Sequence, residues 1–435
     1  MDKFSLNSDP TIQNPDGRVI KKEWLKVYPV ANRTGDNFVS NCQFEFQNSG
    51  KQYFVPSQSY IQIKLKLCGL SGGTGTANET LLRDTSGIYP AFNIGAQFWT
   101  TYSHQINNIV VDRADQLSQT DTCAKRLFVA DDARKTWGQV SCLEPNRTTR
   151  LLNSGYDVSG YNAGSVINDI VWRPSLGLFA TGEYIPPTAR HLLEFVVDAN
   201  WKRKVVEATL SNVAPDVSTG YKVEVQEIIF YACMMSGDVP TANGNHYIQF
   251  GASECQFQAL TSTTNNLFYQ LKPSTNKIST FVQSALVGSN TLFSSGILDG
   301  SGQSLNQTLV PRQAFGTSIQ PQPDIDLAST SVGTAGGTQS VQYNFRRAYY
   351  DMAQTQYWTE EDNGNESYAD WLKLGAIFSY KHCRAPDDQS SSLMVYSTYN
   401  TTPNNLNLWV YSQYDRILNL TYQNGNLVAV QVEDV

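Results

Sequence analysis

Charged side chains are scarce in this sequence. Asp, Glu, Lys and Arg together make up 16% of its 435 residues, whereas about a quarter is typical of soluble domains. Uncharged polar residues and aromatics, including 23 Tyr and 19 Phe, take their place. This composition disfavours long helices held by surface ion pairs and favours strands joined by polar loops.

Motifs built on cysteine are absent. No two of the seven cysteines have the C-x-x-C spacing of a zinc ribbon or a redox site. They are Cys42, Cys68, Cys123, Cys142, Cys233, Cys255 and Cys383. The longest apolar run, Ile228–Met235, is too short to cross a bilayer, and residues 1–22 show no secretory signal. We therefore expect a soluble protein that is made inside a cell and keeps its thiols reduced.

Clustered cations are also missing near the start of the chain. The net charge is −7, and residues 1–22 contain no block of Lys or Arg. An arm that packages nucleic acid needs such a block to neutralise phosphates. The sequence therefore predicts no direct, sequence-specific binding of nucleic acid. The densest basic group, WKRK at 201–204, is interpreted as solvated side chains at the end of a strand.

Signatures of catalysis are lacking as well. The sequence contains no phosphate-binding loop, no nucleophile elbow and no H-E-x-x-H motif. Its four histidines are His104, His191, His246 and His382. We interpret His191, which lies among apolar residues of a predicted strand, as structural. Cys255 and His246 could form a thiol–imidazole pair, but no orienting Asn is identifiable, and we interpret Cys255 as an inert apolar side chain.

Acidic residues occur close together at four places. Paired carboxylates can hydrolyse glycosides across a cleft or bind calcium, but the calcium-binding EF-hand spacing is missing. We interpret all four groups as solvated loops: Asp131–Asp132, Asp324 with Asp326, Glu360–Asp362 and Asp387–Asp388. The sequence thus predicts a protein that is not an enzyme, with no catalytic residue, no metal ligand and no cofactor.

Alternation of apolar and polar residues is the dominant pattern. In Tyr60–Cys68 every second side chain is Ile or Leu, which predicts a strand with one buried face. The segment CQFEFQ at Cys42–Gln47 alternates in the same way. Further strands are predicted at Ile106–Arg113, His191–Asp198, Tyr221–Cys233, Asn266–Leu271, Lys277–Leu286, Leu372–Tyr380, Leu393–Thr398 and Asn407–Ser412.

The sequence ends in two alternating runs that meet at Asn424–Gly425. This pair predicts a β-hairpin with a type I′ turn, whose twist matches the flanking strands. In the predicted register Tyr422 faces Leu427, Leu420 faces Ala429 and Leu418 faces Gln431.

Helical patterns are few. Phe345, Ala348, Tyr349 and Met352 recur at i, i+3, i+4 and i+7, which predicts one amphipathic helix. A weaker pattern covers Ala114–Gly138. Both lie between groups of strands.

A polar segment at Ser236–Asn245 interrupts the chain near its middle. It separates two halves of about 200 residues with roughly eight short strands each, the count of a jelly roll. We predict an all-β fold of two consecutive eight-stranded jelly-roll β-sandwiches with loop insertions and a few short helices. The predicted bounds are an N-terminal arm at 1–20, a first jelly roll at 21–238 and a second at 239–435.

Four segments carry a resemblance to a known family. In chain order they are FEFQNSGKQYFVPSQSYIQIKLKL, NIGAQFWTTYSHQINNIVVDR, EYIPPTARHLLEFVVDAN and YDRILNLTYQNGNLVAVQVEDV. Their layout resembles that of the double jelly-roll major capsid proteins of DNA viruses, a group with the adenovirus hexon and the capsid proteins of virophages, Polinton-like viruses and adintoviruses.

The resemblance implies a structural role. It implies a major capsid protein whose homotrimers are pseudo-hexameric and form an icosahedral virion shell, made and assembled in the host cell. The implied partners are other copies of the chain, minor capsid proteins and penton proteins. Only some relatives have a membrane under the shell, and the sequence leaves that point open.

Two other interpretations fit the same pattern. A single jelly-roll capsid protein with large insertions would have one set of strands instead of two. A carbohydrate-binding or carbohydrate-active β-sandwich protein would need a cleft with facing acids and aromatics.

Overall fold

A computed structural model gives the fold of the chain. It describes residues 19–30, 41–48, 50–72, 78–80, 87–129, 136–146, 150, 167–208, 215–237, 243–260, 266–272, 275–284, 312–315, 318–320, 346–354, 367–374, 377–379, 392–396 and 406–434. In this part of the chain no helix is long and apolar enough to cross a membrane.

Strands dominate the chain up to Gly237. Alternating segments form them because period-2 patterning buries one face of an extended backbone. In chain order they are β1 (Val19–Val27), β2 (Cys42–Gln47), β3 (Gln52–Phe54), β4 (Tyr60–Ser71), β5 (Asn78–Thr80), β6 (Ile88–Pro90), β7 (Trp99–Ile106), β8 (Ile109–Asp115), β9 (Ile167–Trp172), β10 (Arg190–Val197), β11 (Val206–Ala208) and β12 (Tyr221–Gly237).

A second group of strands begins at Gly244. It consists of β13 (Gly244–Leu260), β14 (Asn266–Gln270), β15 (Lys277–Ser284), β16 (Arg312–Phe315), β17 (Ser318–Gln320), β18 (Ile377–Ser379), β19 (Ser392–Tyr396), β20 (Leu406–Gln423) and β21 (Asn426–Asp434). The α-helices are α1 (Leu117–Phe128), α2 (Gly177–Ala180), α3 (Trp201–Lys204), α4 (346–354) and α5 (Tyr368–Leu374).

The first group folds into two facing antiparallel sheets. One has the order β1–β12–β4–β9 and the other β2–β10–β7–β8. Phe44 of the second sheet meets Phe230 of the first, with 5.7 Å between ring centroids. The alternating side chains predicted to be buried on β4 are fully buried: Ile61, Ile63, Leu65 and Leu67. The core of the first sandwich therefore lies between these two sheets.

The second group repeats this strand order. Its sheets run β13–β20–β15–β18 and β14–β19–β16–β17, and the Tyr269 hydroxyl joins them through a 2.8 Å hydrogen bond to Ser412. Each sandwich thus has eight strands in the same two-sheet arrangement, to which short strands and β21 are added. This is a double jelly roll. The predicted fold class is confirmed, and a single jelly roll with insertions is excluded.

The two groups of described strands share no sheet. β12 ends at Gly237 and β13 begins at Gly244, on either side of the polar segment that the sequence analysis singles out. β1 includes Val19 and Ile20, which the predicted bounds place in the arm. The division into 1–20, 21–238 and 239–435 stays a prediction.

The strand predicted at Ile106–Arg113 is wrong because it spans a turn. Asn107 and Asn108 lie between β7 and β8 with φ of 49° and 68°. Asn tolerates this left-handed conformation better than most residues, so the pair forms a two-residue hairpin turn. The apolar run that follows it conceals the turn in the sequence.

The strand predicted at Leu372–Tyr380 is wrong in its first half. α5 continues to Leu374, and of the described residues in this range Ile377–Ser379 are extended. The buried Trp371 explains the difference: its indole N–H donates to the Ile377 carbonyl at 3.1 Å, and its ring contacts Tyr368. Burial of this side chain overrides the local preference for strand.

The other predicted strands overlap observed ones. They fall on β2, β4, β10, β12, β14, β15, β19 and β20. The prediction at Asn407–Ser412 covers only the first part of β20, which continues to Gln423.

The terminal hairpin forms as predicted at its tip. Asn424 and Gly425 both have positive φ, 51° and 81°, as a type I′ turn requires. Tyr422 pairs with Leu427, in agreement with the predicted register.

The rest of the predicted hairpin register is wrong by one residue. Beyond a β-bulge, Leu420 pairs with Val430 instead of Ala429, and Leu418 pairs with Val432 instead of Gln431. Val428 is the additional residue and is 52% exposed. The bulge turns Val430 and Val432 onto the core side, because a shift of one residue exchanges the two faces of a strand.

Both predicted helices are present among the described residues. In α4 the described members of the apolar stripe face the core: Ala348 and Met352 are buried, and Tyr349 packs against the core. Phe345 lies outside the described residues. The region Ala114–Gly138 contributes α1, which is buried almost throughout.

The bulged register predicts that substitutions at two nearby valines change the free energy of unfolding by different amounts. Val430→Asp places a carboxylate against the core and is expected to lower the free energy of unfolding by about 1–3 kcal/mol. Val428→Asp is the matched control and is expected to change it by less than about 0.5 kcal/mol. Denaturant unfolding of both variants measures the difference, and equal effects would contradict the register.

Candidate functional site

The residues considered for covalent chemistry do not form a reactive pair. His246 and Cys255 lie nine residues apart on the same strand, β13, which separates them by roughly 30 Å. Burial raises the pKa of the Cys255 thiol to about 12, and its side-chain hydrogen bond to Thr120 lowers it only in part. Cys255 is therefore a protonated, buried thiol, which is a poor nucleophile.

The His191 imidazole is paired inside the first sandwich. Its Nδ1 lies 3.0 Å from Nε2 of His104, and its ring stacks on Phe46 with 4.8 Å between centroids. Burial lowers the pKa of His104 to about 3 and lowers the pKa of His191 well below its usual value. Both rings are therefore neutral members of the core.

The four acidic groups that the sequence predicts to be solvated loops lie outside the described residues, as do His382 and Cys383. Among the residues that are described, no group of three or more His, Cys, Asp or Glu side chains could hold a metal ion.

The basic run at 201–204 forms the one-turn helix α3 and is not a strand end. Lys202 pairs with Asp216 at 2.9 Å, and Lys204 pairs with Asp198. Trp201 is buried and stacks on Phe98. The prediction of solvated cations is wrong for these two lysines, because acids on the neighbouring loops neutralise them.

α1 is held to the first sandwich by hydrogen bonds to a buried ion pair within the helix. Lys125 donates to the carboxylate of Asp121 at 2.8 Å, and neither side chain is exposed. Asp121 also accepts from Trp172 at 2.9 Å and from the backbone of Ser175 at 2.6 Å. Asn93 completes the network by donating to Asp121 and accepting from Lys125, each at 2.9 Å. Such full pairing is what makes a buried charge tolerable.

The other side of α1 faces the second sandwich. α1 contacts β13, and the Phe128 ring meets Tyr411 of β20 at 6.4 Å. The Lys277 ammonium lies 4.2 Å from the centre of the Phe128 ring. α1 therefore packs between the two sandwiches.

A second contact joins the sandwiches at the tip of the terminal hairpin. The Thr188 hydroxyl donates to the Gly425 carbonyl at 3.1 Å and accepts from the Leu427 backbone at 3.0 Å. The Tyr422 hydroxyl donates to the Pro186 carbonyl at 3.2 Å. The Pro-containing turn and the hairpin, two of the segments that carry the family resemblance, thus bind each other.

Asp112 is buried at the same junction, on β8. The backbone N–H of Leu178 donates to it at 3.3 Å. Gly177 allows this approach, since a Cβ there would lie 1.7 Å from the Asp112 carboxylate. Burial raises the pKa of Asp112 to about 6, and the positive charge of Arg416 from the second sandwich opposes that rise.

An apolar surface remains uncovered on β1 and the residues after it. Trp24, Leu25 and Tyr28 are 45%, 43% and 58% exposed. Among the described strands, β1 lies at the edge of its sheet and pairs with β12 alone. Exposed aromatic side chains on an edge strand are typical of surfaces that bind another chain.

The sequence alone did not reveal these features. Asp121 and Lys125 have the i,i+4 spacing of an ordinary surface pair, and nothing local indicates that they are buried. His104 and His191 are 87 residues apart. The β1 segment mixes Trp and Leu with three lysines and shows no alternation of apolar and polar residues. This lack of alternation is the one signal that could have identified β1 as an edge strand with both faces exposed.

The fold matches solved capsid structures, although no protein-family model and no curated protein sequence matches the chain. A chain of the Sputnik virophage structure is similar with a TM-score of 0.56 and 12% identity, over 98% of this chain and 92% of that one. The mavirus major capsid protein gives 0.52 and 9%, over 99% and 94%. The Faustovirus major capsid protein gives 0.50 and 10%, over 93% and 90%. At these identities the likeness is one of fold: the chain has the double jelly-roll fold of viral major capsid proteins.

The histidine pair predicts a loss of stability in acid. Both folded-state pKa values lie below the unfolded value of about 6.5. The unfolded chain therefore binds more protons below pH 6.5, and stability falls as the pH decreases. Between pH 7 and 5 each histidine is expected to remove about 2 kcal/mol.

The variant His104→Leu/His191→Leu tests this prediction. It is expected to lose about 4 kcal/mol less than the wild type between pH 7 and 5, measured by denaturant unfolding. Asp112 titrates with the opposite sign in both proteins, because its folded-state pKa is raised, and so cancels in the comparison. An unchanged pH dependence would show that the pair is not neutral and buried.

The ion pair in α1 predicts a strong effect of a small change. Asp121→Asn leaves the Lys125 charge buried without its partner and is expected to cost about 3–5 kcal/mol in the free energy of unfolding. Asp121→Asn/Lys125→Met removes both charges and is expected to cost less than the single change. Asp115→Asn, in the exposed pair with Arg113, is the control and is expected to cost less than about 1 kcal/mol. Equal losses for Asp121→Asn and Asp115→Asn would contradict this account.

Proposed function

We propose that this chain is a major capsid protein whose homotrimers are pseudo-hexameric building blocks of an icosahedral virion shell. The observation that carries the proposal is the double jelly-roll fold, which matches a Sputnik virophage chain over 98% of this chain and the mavirus major capsid protein over 99%. Its role is then structural and not enzymatic.

The repeat within the chain supports a trimer in particular. Two sandwiches with the same strand order lie side by side in each chain. Three copies around one axis supply six similar units, which gives a nearly hexagonal tile from a closed cyclic oligomer. Hexagonal tiles cover a shell with one kind of lateral contact repeated many times, so that each contact can be weak.

The described polar groups fit a structural role. His104 and His191 are neutral and buried, Asp121 and Lys125 neutralise each other, and Cys255 is a buried thiol. Each of these groups supports the packing of an element, which leaves the outer surface as the working part of the molecule.

The finer assignments belong to the same proposal. We infer an N-terminal arm at 1–20, a first jelly roll at 21–238 and a second at 239–435. The partners are other copies of the chain, minor capsid proteins and penton proteins. The protein is made and assembled in the host cell and resides in the virion.

Mass and shape in solution test the proposal. The purified protein is expected to have three times the 48.4 kDa mass of the chain by light scattering, and a hexagonal outline by electron microscopy. A stable monomer, or an oligomer without that outline, would contradict it. Binding of a defined glycan by the monomer would instead favour the carbohydrate-binding alternative.

A further inference from the structure

Asn93, Asp121 and Lys125 meet in the core of the first sandwich. Asn93 lies just before a one-turn helix at Ile94–Ala96, and the other two residues lie one turn apart on α1. Each of the three residues is 1% exposed or less. A primary amide, a carboxylate and an amine are thus enclosed together, out of reach of solvent.

The three side chains form a closed triangle of contacts. Nζ of Lys125 lies 2.9 Å from Oδ1 of Asn93. The amide carbon Cγ is bonded to that oxygen at about 1.2 Å and therefore lies within about 4 Å of Nζ. Reacting atoms that are about to form a bond are about 3–3.5 Å apart. A small shift of Lys125 therefore brings its amine against the carbonyl carbon of Asn93.

Asp121 contacts both nitrogen atoms of this triangle. Its Oδ2 lies 2.8 Å from Nζ of Lys125 and 2.9 Å from Nδ2 of Asn93. A carboxylate in this position can take a proton from the lysine nitrogen and deliver it to the amide nitrogen. It can therefore act as a general base and then as a general acid.

Neighbouring groups fix the triangle and exclude water from it. Asp121 also accepts from the indole N–H of Trp172 at 2.9 Å and from the backbone of Ser175 at 2.6 Å. Nζ of Lys125 lies 5.5 Å from the centre of the Trp172 ring. Such a site favours reaction within the chain, because the groups are already oriented and hydrolysis does not compete.

The amine of Lys125 is available in its reactive form. Burial lowers the pKa of Lys125 to about 8, although the negative charge of Asp121 opposes this fall. At pH 7 about a tenth of the amine is then neutral. The neutral amine is the form of lysine that attacks a carbonyl carbon.

We propose that Lys125 and Asn93 become joined by an intramolecular isopeptide bond, with Asp121 as the catalytic acid and base. Asp121 takes one proton from the Lys125 ammonium. The lone pair of the amine then attacks Cγ of Asn93, so that a bond between Nζ and Cγ forms and the bond between Cγ and Nδ2 breaks. A second proton from Nζ and the proton held by Asp121 pass to Nδ2, which leaves as ammonium. No atom is oxidised or reduced, and no co-reactant is needed.

The bond fixes α1 covalently to the turn at Asn93. It closes a loop between residues 32 positions apart, and such a crosslink stabilises a fold by restricting the unfolded chain. α1 also contacts β13 of the second sandwich, so the crosslinked helix is part of the junction between the two sandwiches. The reaction occurs once within each chain and does not depend on the proposed function.

The mass of the purified, denatured protein tests the proposal. The wild type is expected to weigh about 17 Da less than its sequence, because one ammonia is lost. A protease digest is expected to contain one branched peptide in which tandem mass spectrometry finds residues 93 and 125 joined. A succinimide at Asn424–Gly425 loses the same mass, but hydroxylamine cleaves it and leaves an amide bond intact. A wild type of full sequence mass, or a loss of mass that disappears with hydroxylamine, would overturn the proposal whether or not any variant folds.

Two variants test the roles of the residues. Lys125→Arg is the matched control, because it keeps a cation beside Asp121 and removes the amine, and its mass is expected to equal its sequence mass. Asp121→Asn keeps the amine and the amide, and is expected to slow bond formation by about 100-fold or more, measured as the crosslinked fraction over time. Thermal unfolding reports whether each variant is folded. A branched peptide in Lys125→Arg, or an equal rate in folded Asp121→Asn, would contradict the proposed chemistry.

Discussion

The helix α1, which contributes to the contact between the two sandwiches, is held in place by a buried charge. Asp121 carries its carboxylate into the core, where Lys125, Asn93, Trp172 and Ser175 all donate to it. An unpaired charge at this depth would be too costly to keep, so the network allows little displacement of α1. The opposite face of α1 meets β13 and β20, and this contact joins the second sandwich to the first together with the contacts at the tip of the terminal hairpin.

The contact between the sandwiches covers one edge strand and leaves its equivalent exposed. With β13 covered by the first sandwich, the equivalent edge on β1 keeps its apolar side chains in solvent. Buried groups of the described residues, such as the His104–His191 pair, are part of the core. The fold in which they lie is shared with viral major capsid proteins.

The sequence predicted the features that depend on local pattern. Alternation in Tyr60–Cys68 identified a strand and its buried face, and the polar segment at Ser236–Asn245 lies between the two groups of strands. The sequence did not predict the features that depend on contacts between residues far apart in the chain. The bulge that exposes Val428 is selected by the packing of Val430 against the core, and the burial of Asp121 is created by Trp172 and other residues far along the chain. No local sequence pattern indicates either feature. For the hairpin, a short alternating run is compatible with both registers.

The proposed function requires that three copies of the chain, and therefore six sandwiches, form one ring. The most direct measurement is the rotation that relates the two sandwiches in an experimental three-dimensional map of the assembled protein. The account predicts a rotation of about 60° around the axis that also relates the three copies. A rotation about an unrelated axis, with β1 still facing solvent in the assembly, would contradict it.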